Sequence, residues 1–214
     1  MKKVGLLIPK TNLTVEYELQ RLFNIGFFTS DKVIFYTSKL DYKTSYKENK
    51  EQYLNDLAID SENKINDLKY LDVDYINFFC TSSAIINFEN VIENNPATAL
   101  IESANQNEIK KCLLITPYND ELGNKVKNEL EKNNIVVNRI LNLNLLNTSD
   151  YFDFGINKLE KFILDNYKDD DDNIIISCTN LPTLTVIDNL RNKLNTKIIS
   201  SNSSLFEKIK KDIN

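Results

Sequence analysis

Two thiols in matched settings carry the most chemistry in this chain. Cys80 ends the apolar run Tyr75-Ile76-Asn77-Phe78-Phe79 and is followed by Thr81-Ser82. Cys178 ends the run Asn173-Ile174-Ile175-Ile176-Ser177 and is followed by Thr179-Asn180. A buried strand that ends in a small nucleophile and opens toward a helix is where α/β enzymes keep their reactive groups. Two such ends predict two thiols facing one substrate from opposite sides. Backbone N–H groups at the start of a following helix favour a thiolate and lower the thiol pKa. The same amides can hold a carboxylate or a developing enolate. A lone cysteine at a strand end reads first as a small core filler, but a matched pair favours chemistry. Cys112 follows Lys110-Lys111 at a strand start, has no such flank, and is assigned to packing.

The repetition extends beyond the cysteines. Leu6-Leu7-Ile8-Pro9-Lys10-Thr11-Asn12 opens the chain, and Leu113-Leu114-Ile115-Thr116-Pro117-Tyr118-Asn119 opens its second half. Each half starts with an apolar strand running into a loop with Pro and Asn, and later delivers a Cys-Thr turn. The pattern reads as two related α/β halves. Asn12 and Tyr118 sit in the corresponding loops, which in a parallel sheet share the edge that carries the cysteine turns. An amide and a phenol there can bind carboxylate oxygens without a full charge. Each taken alone is also an ordinary turn or capping residue. Ser200-Ser201-Asn202 ends the last strand on the same edge and reads as an N-cap for the final helix.

Alternating elements must position these residues. Strands are expected near Lys3–Ile8, Val33–Thr37, Asp74–Phe79, Pro96–Leu100, Lys111–Ile115, Ile135–Leu141, Ile174–Ser177 and Lys197–Ser200. Helices are expected over Thr14–Asn24, Tyr46–Tyr70, Ala84–Asn94, Asp120–Lys132, Tyr151–Asn166, Leu181–Leu194 and Ser203–Ile213, from apolar residues at helical spacing. Strand–helix alternation points to mostly parallel sheets covered on both faces. Lys168 to Asn173, with four consecutive aspartates, reads as a solvated loop rather than a cation site. The chain divides into an N-terminal lobe, residues 1–106, and a C-terminal lobe, residues 107–202. The last helix, about 203–214, is expected to pack back on the first lobe.

Composition excludes more than it selects. The chain has no histidine, so a Ser-His-Asp triad, a Cys-His pair and a His-ligated metal are all impossible. Acid–base work near neutral pH falls to Cys, Tyr, Lys or a shifted carboxylate. The three cysteines are far apart, which argues against a zinc knuckle. Four isolated glycines build neither a G-x-G-x-x-G fingerprint nor a Walker loop. A net charge of −5 with interspersed Lys and Arg gives no reason to expect nucleic acid. Met1-Lys2-Lys3 is followed by only Val4 to Ile8, too short for a signal core, and no run is long enough to span a bilayer. The expectation is a cytoplasmic protein with reduced thiols and no membrane partner.

Five motifs in order carry a resemblance that covers nearly the whole chain. Pro9-Lys10-Thr11-Asn12-Leu13-Thr14-Val15-Glu16 is similar to P-S-S-N-T-x-x-E. Cys80-Thr81-Ser82 matches a first cysteine turn, Thr116-Pro117-Tyr118 a T-P-Y, Ser177-Cys178-Thr179-Asn180-Leu181 an S-C-T-N-L, and Ile199-Ser200-Ser201-Asn202 a closing I-S-S-N. Together they resemble the maleate cis-trans isomerase and arylmalonate decarboxylase branch of the aspartate/glutamate racemase superfamily. The resemblance implies two pseudo-symmetric α/β lobes with mostly parallel four-stranded sheets, the active site between them, and no cofactor. It implies that Cys80 adds to the alkene of a small cis-diacid and that Cys178 gives and retakes a proton. Asn12, Tyr118, Thr81, Ser82, Thr179, Asn180 and, by a looser match, Asn147 would bind the dicarboxylate. Arylmalonate decarboxylases carry Gly in place of the first cysteine, and amino-acid racemases carry His or Glu after the second Cys-Thr. Cys80 and Asn180 therefore favour the isomerase branch. A two-thiol racemase, a decarboxylase and a non-catalytic dicarboxylate binder remain alternatives. Lys10, Leu13 and Ser83 depart from the branch pattern, and the first two lie in the expected substrate loop. A homodimer or higher homo-oligomer is compatible with the sequence.

Overall fold

The computed structural model describes residues 1–87 and 91–214. Two parallel sheets form its frame. The first has the order β2-β1-β3, from β1 (Lys2–Pro9), β2 (Val33–Leu40) and β3 (Tyr75–Phe78). The second has the order β5-β4-β6-β7, from β4 (Lys111–Thr116), β5 (Val136–Asn142), β6 (Ile174–Ile176) and β7 (Ile198–Ser200). β1 and β4 play the same part in each sheet: the first strand of its half, flanked by the next two. Both are almost wholly buried and apolar, as a strand covered on both faces requires.

Helices connect the strands. They are α1 (Thr14–Asn24), α2 (Lys50–Lys69), α3 (Thr81–Ile86), α4 (Pro96–Gln106), α5 (Asp120–Lys132), α6 (Thr148–Phe154), α7 (Ile156–Asn166), α8 (Leu184–Arg191) and α9 (Ser201–Asp212). Among the described residues, no helix is long and apolar enough to cross a membrane.

Pro96–Leu100, expected as a strand, opens α4 instead. The Asn95 side chain accepts from the amides of Ala97 and Thr98 at 2.9 and 3.0 Å, and Pro96 takes the first helical position. Asn-Pro there starts a helix rather than ending one. The first sheet consequently has three strands, not four. The helix expected over Ala84–Asn94 begins earlier, at Thr81, and its described part ends at Ile86; residues 88–90 lie outside the described residues. The helix expected from Tyr46 starts at Lys50 because the Asn49 side chain caps it, accepting from Gln52 N at 3.0 Å. The helix expected over Tyr151–Asn166 is two helices, α6 and α7, separated by Gly155. Its φ of 78° and ψ of 162° lie in a region that side chains do not tolerate. The aspartate run is not a fully solvated loop either. Asp169–Asp171 forms a 3-10 turn, and buried Asp171 pairs with Arg139 Nε at 3.0 Å.

One hydrophobic core runs through both sheets, from Leu7 and Phe78 to Leu114, Ile115 and Ile175. A second core closes the outer face of the first sheet. Val4, Leu6 and Ile8 of β1 pack there with Leu22 of α1, Phe28 and the α9 residues Leu205, Phe206 and Ile209. The last helix thus supplies core to the first sheet.

Candidate active site

The loops at the C-terminal ends of the strands converge on one cavity. Cys80 and Cys178 both line it, together with Asn12, Tyr118, Thr81, Ser82, Thr179 and Asn180. The structure therefore brings together every expected site residue except Asn147. Asn147 lies in a neighbouring outer basin of ≈ 370 Å³, where its amide Nδ2 donates to Asp150 at 2.9 Å. Thr148, the next residue, reaches the cavity in its place. The outer basin shares Thr11, Tyr46, Tyr53 and Thr148 with the inner cavity. Leu13 lines the basin and is half-exposed. Lys10 lies outside the lining of both cavity and basin and pairs with Asp41 at 2.5 Å on the surface.

Each thiol sits where strand becomes helix or turn. Cys80 is the extended residue before α3, with its sulfur 3.8 Å from Ser82 Oγ. Cys178 is the second residue after β6, and its sulfur accepts from Asn180 N at 3.2 Å. Hydrogen bonds tie the two turns together. Thr179 Oγ1 donates to the Phe79 carbonyl at 2.9 Å and accepts from Asn12 Nδ2 at 3.2 Å. Thr81 Oγ1 donates to Ser201 Oγ at 2.9 Å. Asn12 also caps α1, its Oδ1 accepting from Thr14 N and Val15 N at 2.9 and 3.1 Å. Asn180 is fully engaged: its Oδ1 accepts from Leu13 N at 2.9 Å, and its Nδ2 donates to Thr148 O at 2.7 Å and Thr11 O at 3.2 Å. It stitches the loop after β1 to the start of α6.

Tyr118 is held by its own loop. Its amide donates to Thr116 Oγ1 at 3.1 Å, and that hydroxyl donates to Asn142 Oδ1 at 2.6 Å. Gly123 on α5 leaves the room that the Asn142 side chain fills. Three more tyrosines line the cavity: Tyr46 and Tyr53 from the first half, and Tyr151 from α6. Tyr151 donates to the Tyr46 oxygen at 2.9 Å, and the Tyr53 hydroxyl is hydrogen-bonded to Thr11 Oγ1 at 2.7 Å. Sequence reasoning missed these three. The available signal was topological: the loop after β2 and the segment after β5 open on the same sheet edges as the cysteine turns.

No charged side chain is among the described residues lining the cavity, and that sets its electrostatics. Burial pushes the Cys80 thiol up, opposed by the amides of Ser83 and Ser82 and by the Ser82 hydroxyl. Burial pushes Cys178 up to about 12, opposed by the Asn180 amide and the Tyr118 phenol. The expected lowering by helix amides is present in direction, but desolvation outweighs it. The two thiols are also coupled: charge on Cys80 raises Cys178 further. If one thiol ionises at Cys80, Cys178 keeps its proton. Burial likewise raises the phenols of Tyr46, Tyr53, Tyr118 and Tyr151, which remain hydrogen-bond donors. The site therefore holds two thiols that burial keeps in the protonated form, within a shell of neutral hydrogen-bond donors.

The fold recurs in solved structures. Maleate isomerase Iso from Pseudomonas putida superposes with a TM-score of 0.86 at 20% identity, covering 99% of this chain and 92% of that one. A cysteine mutant of Nocardia farcinica maleate cis-trans isomerase with a covalently bound succinylcysteine intermediate gives 0.85 at 15% identity, with 99% and 92% covered. Arylmalonate decarboxylase gives 0.71 at 15% identity, again with 99% and 92% covered. No curated protein matches the chain in sequence. The sequence model for arylmalonate decarboxylase does match, over residues 90–211. That stretch is more than half of the chain and contains Tyr118, Cys178 and the closing Ser200-Ser201-Asn202; the chain belongs to the arylmalonate decarboxylase family.

Proposed function

We propose that this protein is a cofactor-independent cis-trans isomerase of a small unsaturated dicarboxylate, of the maleate-to-fumarate type. The observation that carries the reading is that Cys80 and Cys178 line one uncharged cavity. The Cys80 thiolate adds to one alkene carbon, and a carbon–sulfur bond forms. The π electrons move to the second carbon, where the adjacent carboxyl group spreads them as an enolate. That carbon takes the proton of Cys178. The new single bond rotates, Cys178 retakes the proton, and the carbon–sulfur bond breaks to leave the trans-diacid and the Cys80 thiolate. The succinylcysteine held by the Nocardia enzyme is the adduct this sequence of steps produces. Ser82, Tyr118, Asn12 and the amides after each cysteine hold the carboxylates as neutral donors, while Thr81 and Thr179, whose hydroxyls donate to Ser201 and to the Phe79 carbonyl, fix the two turns that present them.

The inner cavity is ≈ 30 Å³, room for about two or three waters, each needing roughly 10–15 Å³ on this measure. A four-carbon diacid does not fit, so substrate entry requires the tyrosine-lined wall toward the outer basin to part. Closure then keeps water from the adduct.

Proton NMR in D2O with maleate, aspartate and glutamate present together tests the proposal. A growing fumarate vinyl signal with both amino acids unchanged is the expected result. Loss of an amino-acid Cα proton signal while maleate persists would replace it with a two-thiol racemase. A decarboxylase is the second reading, because the family model bears that name; release of CO2 from an arylmalonate, with no fumarate formed, would establish it. Silence toward every acid would favour a non-catalytic binder.

A further inference from the structure

Glu18 lies on α1, outside the cavity lining, and is buried to 1% exposure. Its Oε1 accepts from the amides of Thr183 at 2.5 Å and Leu184 at 2.8 Å, at the start of α8. Its Oε2 accepts from Asn202 Nδ2 at 2.5 Å. The same Nδ2 donates to the Thr179 carbonyl at 3.1 Å. Thr179 follows Cys178, and its hydroxyl holds the carbonyl of Phe79, the residue before Cys80. One amide group thus joins a buried carboxylate to the turn that ties the two thiols.

A carboxylate only accepts hydrogen bonds, and a protonated carboxyl group also donates. The charged form obliges Asn202 to present its NH2 group. That leaves the buried Asn202 Oδ1 with no partner. Protonation reverses the preference: the carboxyl O–H seeks an acceptor, and Oδ1 is the acceptor at hand. The amide then turns over, and its NH2 leaves the Thr179 carbonyl. We propose that Glu18 is a positioning residue whose carboxylate, acting through Asn202 and Thr179, sets the Cys178 turn against the Cys80 turn, and whose protonation releases it.

This inference rests on the two-thiol reading of the cavity. Desolvation pushes Glu18 up to about 7, against the pull of the Thr183 and Leu184 amides, Asn202 and Arg21, so the change falls in the neutral range. The charged groups around it are few. Arg21 on α1 favours the carboxylate, and is itself paired with Asp188 of α8 at 2.6 Å. Arg191 of α8 and Glu207 of α9 line the groove beside that pair. Asn202 and Thr179 bring no charge.

Glu18→Gln tests it. Glutamine keeps an acceptor for the α8 amides and turns an NH2 toward Asn202, a permanent copy of the protonated state. The readout is the ratio of Cys178 to Cys80 alkylation by iodoacetamide, followed by peptide mass spectrometry from pH 6 to pH 8. Both thiols gain thiolate together with rising pH, so the ratio isolates their relative placement. In the wild-type protein it should change about 5-fold, the scale of one net hydrogen bond, with a midpoint near pH 7. In Glu18→Gln it should stay at its pH 6 value, and kcat for the diacid should drop with KM little changed. Asn202→Ala, which cuts the link while sparing the acid, should also flatten the ratio, and decides the matter if Glu18→Gln does not fold. A flat ratio in the wild type, or the same inflection in all three proteins, overturns the proposal. Alkylation needs no substrate. A wild-type inflection with no diacid turnover would therefore overturn the isomerase reading and leave the role of Glu18 standing.

Discussion

The hydroxyls of Tyr46 and Tyr151 meet at 2.9 Å, one tyrosine from the loop after β2 and the other from α6. Both line the thiol cavity. The pair joins the two halves of the chain across the wall that, under the proposed function, parts to admit the diacid. Tyr46→Phe removes one hydroxyl and a net stabilisation of about 0.5–1.5 kcal/mol. The open form should gain roughly 2- to 10-fold in population, and alkylation of Cys80 and Cys178 should accelerate by the same factor. Equal alkylation rates in variant and wild type would show that the pair does not hold the wall shut.

The two cysteines have unequal assignments, and single variants separate them. Cys80→Ser and Cys178→Ser should each lower turnover at least ~100-fold, the low end for a positioned acid, base or nucleophile. Incubation with maleate should load one diacid onto Cys80 in the Cys178→Ser protein, visible as a mass gain on the Cys80 peptide. A mass gain on the Cys178 peptide of the Cys80→Ser protein would exchange the roles.

Gly123 faces the Asn142 side chain so closely that a Cβ there would strike its amide group. Asn142 holds the Thr116 hydroxyl that in turn receives the Tyr118 amide. Gly123→Ala should cost about 1–3 kcal/mol as an overpacking change, and lower Tm by about 2–4 °C per kcal/mol for a chain of this size. It should also weaken diacid binding through Tyr118, although it lies outside the cavity. Calorimetry with a KM measurement checks both.

Burial pushes Cys112 and Cys178 each up to about 12. In the unfolded chain a thiol titrates near ~8.5. The folded state thus prefers the protonated thiols, and their contribution is complete below pH ~8.5. It fades as pH rises toward 12, by about 1.4 kcal/mol per pH unit for each thiol. Urea midpoints at pH 8, 9 and 10 should fall accordingly. Cys112→Ala, on β4 and away from the cavity lining, should remove one thiol's share of that fall.

The frame of the site was legible because its signals are local. α1 over Thr14–Asn24 and α5 over Asp120–Lys132 have the bounds that periodicity predicts. Cys80, Cys178, Asn12 and Tyr118 meet because parallel strands place every following loop on one edge. Asn95-Pro96 was misread because the same dipeptide can close one helix or open the next, and the choice depends on whether the asparagine turns back onto the amides of Ala97 and Thr98. Tyr46, Tyr53 and Tyr151 were illegible as site residues because tyrosines on an amphipathic pattern look like core. Only the pairing of distant loops turns them inward. The sign of the thiol shifts was equally hidden: amide donors can be read from a turn, whereas desolvation depends on what the other half of the chain lays over it.

The placement of α9 has a consequence for biosynthesis. Val4, Leu6 and Ile8 leave the ribosome long before Leu205, Phe206 and Ile209, which share the covering of their outer face with Leu22 and Phe28. The first sheet therefore stays only partly covered on that face until α9 is made. The second sheet needs no such return, because β4 to β7 complete it in order. The half synthesised later is the half that can settle first, and a nascent chain halted before residue 205 would expose an apolar strand to chaperones.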